Sequence, residues 1–162
     1  MLKGVGMSAP EAANASIPRG GGMNANRGVP GGASRLVVLD TNVLVSGLLT
    51  THSSPPVELA GLVLDGLLRL CYDEHMLAEY RFVLARPQLH LDRQKVNSLL
   101  RMITAYGFDV DPPRAALDFS DESDRPFYEV AELCLCPLVT GNQKHFPHKD
   151  WILSPAEYLA GF

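Results

Sequence analysis

Arg35-Leu36-Val37-Val38-Leu39-Asp40-Thr41-Asn42 decides the fold. Leu36 to Leu39 are apolar without alternation, and the run stops at an acid. Such a run suits a strand buried on both faces, as in a parallel sheet under helices. Downstream, Val43 to Leu49 reads as a short helix. Pro56 suits the first turn of a second helix that lasts to about Asp65 and is stopped by Gly66. Leu67 to Cys71 is a second short strand.

Further along, Asp73 is a helix cap, with the helix running to about Ala85 before Arg86-Pro87 ends it. Asp92 caps a fourth helix through Tyr106, with Gly107 at its C′ position. Phe108 to Val110 is a short strand, and a polar loop carries Asp111 to Glu122. Asp124 to Leu133 reads as a helix with Pro126 in its first turn. Pro137 to Thr140 and Trp151 to Leu153 are the last strands. Ser154-Pro155-Ala156-Glu157 is a capping box that opens a terminal helix. Strand and helix alternate throughout, which predicts an α/β fold with a mostly parallel sheet and helices on both faces.

Residues 1–34 differ from the rest. They hold eight of the 14 glycines and no aromatic residue, a composition that cannot offset its ordering entropy. The expectation is a disordered Gly/Pro-rich tail over 1–34 and one domain over 35–162. Met7 and Met23 are alternative starts. No apolar run approaches the ~20 residues of a membrane-spanning helix. The net charge of −4 excludes a protein that holds nucleic acid through bulk positive potential, so such chemistry would be local, through bound cations. Three cysteines, Cys71, Cys134 and Cys136, suit a reducing, cytoplasmic setting.

Several residues carry candidate chemistry. In open parallel sheets, ligands bind at the carboxyl ends of strands. Asp40 stands at such an end. It can cap the next helix, or it can hold a cation beside Thr41 and Asn42, whose short polar side chains fix its rotamer. A phosphatase using Asp40 as nucleophile would need an acid two residues on, and Asn42 leaves that role unfilled. Glu79 is either an exposed acid on a helix face or part of a site. Asp121 and Asp124 flank a helix start, where the macrodipole favours negative charge and a hard cation would too. Thr140-Gly141-Asn142 is a turn or a polar lining. His145 and His148, around Pro147, read as loop residues. No G-x-x-x-x-G-K-S/T loop and no G-x-S-x-G elbow occurs.

In order along the chain, Leu36 to Ser46, Leu77-Ala78-Glu79-Tyr80, Asp121 to Ala131, Val139 to Phe146 and Ser154 to Leu159 resemble the segments of a PIN domain. The resemblance covers about Arg35 to Phe162, and the subgroup it most resembles is the toxin component of bacterial toxin–antitoxin systems. It implies a three-layer α/β/α fold and a metal-dependent ribonuclease. By the resemblance Asp40, Glu79 and Asp124 are the metal-site acids, with magnesium or manganese as the ion, and Asp121 is a supporting acid. Asn42 and Thr140 line the site. Asn142 falls where many PIN domains place a fourth Asp, so one or two metals are both open. Arg114, Arg125 and Lys144 are candidate contacts to the RNA backbone. An antitoxin partner and a homodimer are implied by the resemblance, and no membrane association is expected. The alternative is a PIN-like RNA-binding module that has lost turnover.

Overall fold

The computed structural model describes residues 34–162. The expected tail lies, except for its last residue, outside the described residues. Strand β1 (Arg35–Leu39) forms the centre of a five-stranded parallel sheet. Its neighbours are β2 (Leu68–Tyr72) and β4 (Leu138–Val139), with β3 (Phe108–Asp109) and β5 (Ile152–Leu153) at the edges. The order is β3-β2-β1-β4-β5. The register pairs Val37 with Leu70, Val38 with Leu138 and Leu39 with Val139. Val37, Val38 and Leu39 have no exposed surface, which accounts for the unbroken apolar run.

The connections divide the helices between layers. α1 (Thr41–Leu49) and α2 (Pro55–Leu64) lead from β1 to β2; α3 (Glu74–Leu84) and α4 (Arg93–Tyr106) lead from β2 to β3. Both steps move the same way along the sheet. The chain then returns through α5 (Arg125–Cys134) to β4, on the other side of β1. Right-handed crossovers in opposite directions put their helices on opposite faces. Accordingly α5 packs on β1, β2 and β4, while α2 and α4 pack on β2 and on each other. Near the carboxyl ends α3 touches both α1 and α5, and α6 (Pro155–Ala160) packs on α2. This is the expected three-layer α/β/α arrangement. Among the described residues, no helix is long and apolar enough to cross a membrane.

Local chemistry sets the helix ends. Asp40, Asp73 and Asp92 all cap with their carboxylates, onto the amides of Asn42, Met76 and Gln94 respectively. Ser154 and Glu157 form the capping box. Because Asp40 caps, α1 starts at Thr41 and not at Val43. The start of α5 also differs from expectation, because a 3-10 turn over Glu122–Asp124 precedes it. Gly66 takes the left-handed conformation (φ 73°) that ends α2. Gly107 does not: its φ is −75°, and a side chain there would sit 2.6 Å from the Leu70 carbonyl oxygen. Glycine is needed at 107 for the close approach of α4 to β2. Strands β3 to β5 are each two residues long, shorter than the apolar runs suggest. Hydrogen bonds continue past them, with Thr140 N donating to Leu153 O at 2.9 Å. The three cysteines are free thiols.

Candidate active site

The strand order reverses between β1 and β4, and such a switch point opens a crevice at the carboxyl ends of the strands. Asp40 follows β1 and Thr140 follows β4. Both are buried, at 7% and 0% exposure. Asp40 Oδ2 accepts from Thr140 Oγ1 at 2.6 Å and from Asn42 Nδ2 at 2.7 Å. Asn42 Oδ1 in turn accepts from Gly141 N at 3.1 Å. One amide side chain thus ties the β1 loop to the β4 loop and fixes the acid between them. Asn42 makes one bond from Nδ2 and one to Oδ1, so it works as a clamp between the loops. Among the described residues, Asp40 Oδ1 has only a long contact from Asn42 N, at 3.4 Å.

Glu79 projects from α3, and its Oε1 accepts from Thr41 Oγ1 at 2.5 Å. The next residue, Tyr80, is fully buried and donates its hydroxyl to Leu39 O at 2.5 Å. That bond fastens α3 to the end of β1, one residue before Asp40. The helix is therefore held to the strand end by one side chain and presents an acid with its neighbour.

Asp121 and Asp124 come from the 3-10 turn before α5. Asp121 Oδ1 accepts from the amide and hydroxyl of Ser123, which hold its carboxyl below the usual range. Asp124 is different. Its Oδ2 is buried and has no hydrogen-bond partner among the described residues. His145 Nδ1 stands 3.5 Å from that oxygen, near it but not hydrogen-bonded. His145 was legible in the sequence only as a loop histidine. The 3-10 turn Gln143–His145, closed by His145 N onto Asn142 O, is what swings it toward Asp124.

The remaining candidates lie elsewhere or point elsewhere. Thr140 Oγ1 also accepts from Asn142 N at 2.9 Å, while the Asn142 residue is exposed and its side chain makes no hydrogen bond among the described residues. Lys144 is exposed in the same turn. Arg114 is exposed and pairs with Glu122 at 3.1 Å. Arg125 is buried at 6% exposure. Its guanidinium donates to both Glu122 oxygens, to Glu129 and to the carbonyls of Ala115 and Leu117. Those bonds use all five of its donors, turned inward on the 111–122 loop. The pairing holds the Glu122 carboxyl down at about 2.

Electrostatics joins the acids into one neighbourhood. Burial raises the proton affinity of Asp40, against the lowering effect of its hydrogen bonds. Burial also raises that of Glu79, and the charges of Asp40 and Asp121 add to it. Asp124 is raised by burial and then by Asp40, Asp121 and Glu79, with His145 opposing. Crowded carboxylates that raise one another's pKa are stabilised by a shared cation. The donor set is all oxygen, as a hard divalent ion requires, and the orphaned Asp124 oxygen offers it a ligand. Among the described residues no three His, Cys, Asp or Glu side chains already converge as a ready-made metal cluster. The residues therefore suit such an ion in chemistry, with the acids standing apart on the end of β1, on α3 and in the 3-10 turn before α5.

A family model described as PIN domain matches residues 36–144. No curated protein and no solved structure matches the chain. The matched stretch runs from β1 through the turn after β4 and takes in Asp40, Glu79, Asp121, Asp124 and Thr140, and on this match the chain belongs to the PIN domain family, whose members are generally nucleases.

Proposed function

We propose that the protein is a divalent-metal-dependent endoribonuclease that hydrolyses RNA phosphodiesters. The observation that carries this reading is the buried, unpartnered Oδ2 of Asp124 in the electrostatic neighbourhood of Asp40 and Glu79. Asp40, Glu79 and Asp124 would hold the ion, magnesium or manganese, with Asp121 as supporting acid. A bound ion supplies positive charge against the scissile phosphate and lowers the pKa of water toward neutrality. Thr140 and Asn42 hold the Asp40 carboxylate in place, and Thr41 holds Glu79. His145 Nδ1 stands 3.5 Å from Asp124 Oδ2, so a protonated His145 would set positive charge beside that acid. Arg125, whose donors are spent on the loop, is left out of the RNA contacts; Lys144 and Arg114 stay as candidates.

The resemblance to toxin components supports a further reading, in which the enzyme is the cytoplasmic toxin of a toxin–antitoxin pair, is held in check by an antitoxin protein and acts as a homodimer. A second functional reading, an RNA-binding PIN-like module without turnover, is favoured by Asn142, an exposed amide where many PIN domains carry an acid.

The test compares the full chain with Asp40→Asn on a mixed RNA pool, with manganese, magnesium or EDTA. Cleavage that requires metal and is lost in the variant is the expected result. Equal cleavage by both proteins would sink the site assignment. Metal-independent RNA binding with no cleavage by either folded protein would establish the binding module instead.

A further inference from the structure

Charge is unevenly distributed in this acidic chain. Residues 80–108 carry five cations, Arg81, Arg86, Arg93, Lys95 and Arg101, and a single acid, Asp92. The rest of the chain has nine cations against 17 acids. Asp92 is occupied as the α4 cap, accepting from Gln94 N and Lys95 N. Among the described residues, none of the five cations is in an ion pair.

Two of the five, Arg81 and Arg101, line an open groove of about 660 Å³ between α3 and α4. Arg81 forms one wall. The other is the outer face of α4, where Gln94, Asn97, Ser98 and Arg101 recur at helical spacing opposite the buried Val96, Leu99 and Ile103. Arg101 reaches Ser98 Oγ at 3.5 Å, which leaves that hydroxyl's own proton free to donate. Guanidinium groups, amides and a hydroxyl are the donors that phosphate oxygens take. Leu100 is the one apolar side chain in the lining, so the groove offers little to anchor a folded protein surface or an amphipathic peptide.

Helix α3 connects the groove to the acids. At about 100° per residue, Glu79 and Arg81 lie on opposite flanks of α3, with Phe82 on the crest between them. Phe82 is 68% exposed, and Arg86 lies over its ring at 5.1 Å. An exposed ring stiffened by a stacked guanidinium is a platform for a nucleobase.

We infer that the α3–α4 groove binds the phosphate backbone of a single-stranded RNA that crosses Phe82 from the acids, with Arg81 and Arg101 as its cationic contacts. The inference builds on the nuclease reading and adds a path for the strand. The groove has no ring in its lining, so it recognises backbone and not sequence. It also supplies locally the positive field that the net charge of the chain denies.

The experiment is binding of a labelled single-stranded RNA oligonucleotide to the full chain in EDTA, titrated with salt. In Arg81→Ala/Arg101→Ala the affinity should fall about tenfold or more at low salt, and the slope of log affinity against log salt should lose about 1.4, for two phosphate contacts. Arg81→Lys/Arg101→Lys should recover most of the slope, and Lys149→Ala, an exposed cation elsewhere, should match the wild type. Phe82→Ala should weaken binding several-fold with the slope retained. An unchanged slope in the double alanine variant, or an equal loss in Lys149→Ala, overturns the groove; unchanged binding in Phe82→Ala overturns the path. So does a polyglutamate peptide that needs both arginines while RNA does not, which would make the groove a protein site. The two readings fail separately. A protein that binds RNA in this way but never cleaves it with manganese loses the nuclease reading and keeps the groove. One that cleaves RNA with the slope unaltered in the variant loses only the groove.

Discussion

Asn42 shows how much one short side chain can set. It spans from Asp40 Oδ2 to Gly141 N and so joins the two loops on either side of the switch point. Asn42→Ala removes both bonds and leaves a buried carboxylate oxygen with one partner fewer. The expected loss is about 1–2 kcal/mol in a urea unfolding titration. Ribonuclease turnover should fall about tenfold or more, because a misplaced acid loses the reacting geometry. Asn42→Asp separates the two contributions. The shape is kept, but a second carboxylate would replace the donor 2.7 Å from Asp40 and could not bond it without a proton. That variant should lose more stability near neutral pH than in mild acid, whereas a pH-independent loss would show that the amide's charge is irrelevant. Asp40 was legible in the sequence as the acid that ends β1 and can cap the next helix, and it does cap α1. His145 was not, because its approach to Asp124 depends on a 3-10 turn that leaves no periodic trace.

Among the elements, the loop before α5 depends on a residue whose sequence signal misleads. Arg125 reads in the sequence as a candidate RNA contact, yet it is buried and gathers Ala115, Leu117, Glu122 and Glu129 around one guanidinium, with the Phe119 ring 4.8 Å from it. Glu129 closes the same knot, accepting from Ala115 N at 2.7 Å. A sequence shows the charge of such a residue but not the loop that folds over it, since the Ala115 and Leu117 partners are backbone carbonyls that any residue could supply. The same turn carries Asp121 and Asp124. Arg125→Met should therefore loosen residues 111–124, seen as faster proteolysis and amide exchange there, and should weaken metal binding with little change in α1 to α4. Arg125→Lys should not rescue it, because an ammonium has three donors and no planar fork. Protection equal to wild type in the loop would show the knot to be dispensable. The caps and the mostly parallel α/β arrangement, by contrast, were readable, since Asp and Ser before helices and unbroken apolar strands have local causes. Strand lengths were not, because pairing ends where a neighbour ends.

Over the whole molecule, the parallel sheet brings acids from β1, α3 and the α5 turn to one end, where among the described residues His145 near Asp124 and the more distant charge of Arg86 on Glu79 offset them only in part. The same assembly that gathers the acids then weakens the fold. Asp40, Glu79 and Asp124 all have proton affinities raised above their unfolded values. For these groups the folded state binds more protons than the unfolded one, so their contribution to stability falls as pH rises from the ordinary carboxylate range through the raised values. Asp121, Glu122 and Glu157 are lowered and act in the opposite sense, losing stability as pH falls, but they are exposed and screened by salt. Thermal melts of the full chain in EDTA and moderate salt should therefore show the midpoint declining as pH rises from about 4.5 toward 7. Asp124→Asn should raise the midpoint at pH 7 and flatten the decline, because it removes the orphaned charge. Manganese should stabilise the wild type, by about 2.7 kcal/mol at a concentration a hundred times its dissociation constant, and stabilise Asp124→Asn much less. A wild-type midpoint unmoved by manganese or magnesium at every pH would remove the divalent ion from these acids, and with it the reason for gathering them at the switch point.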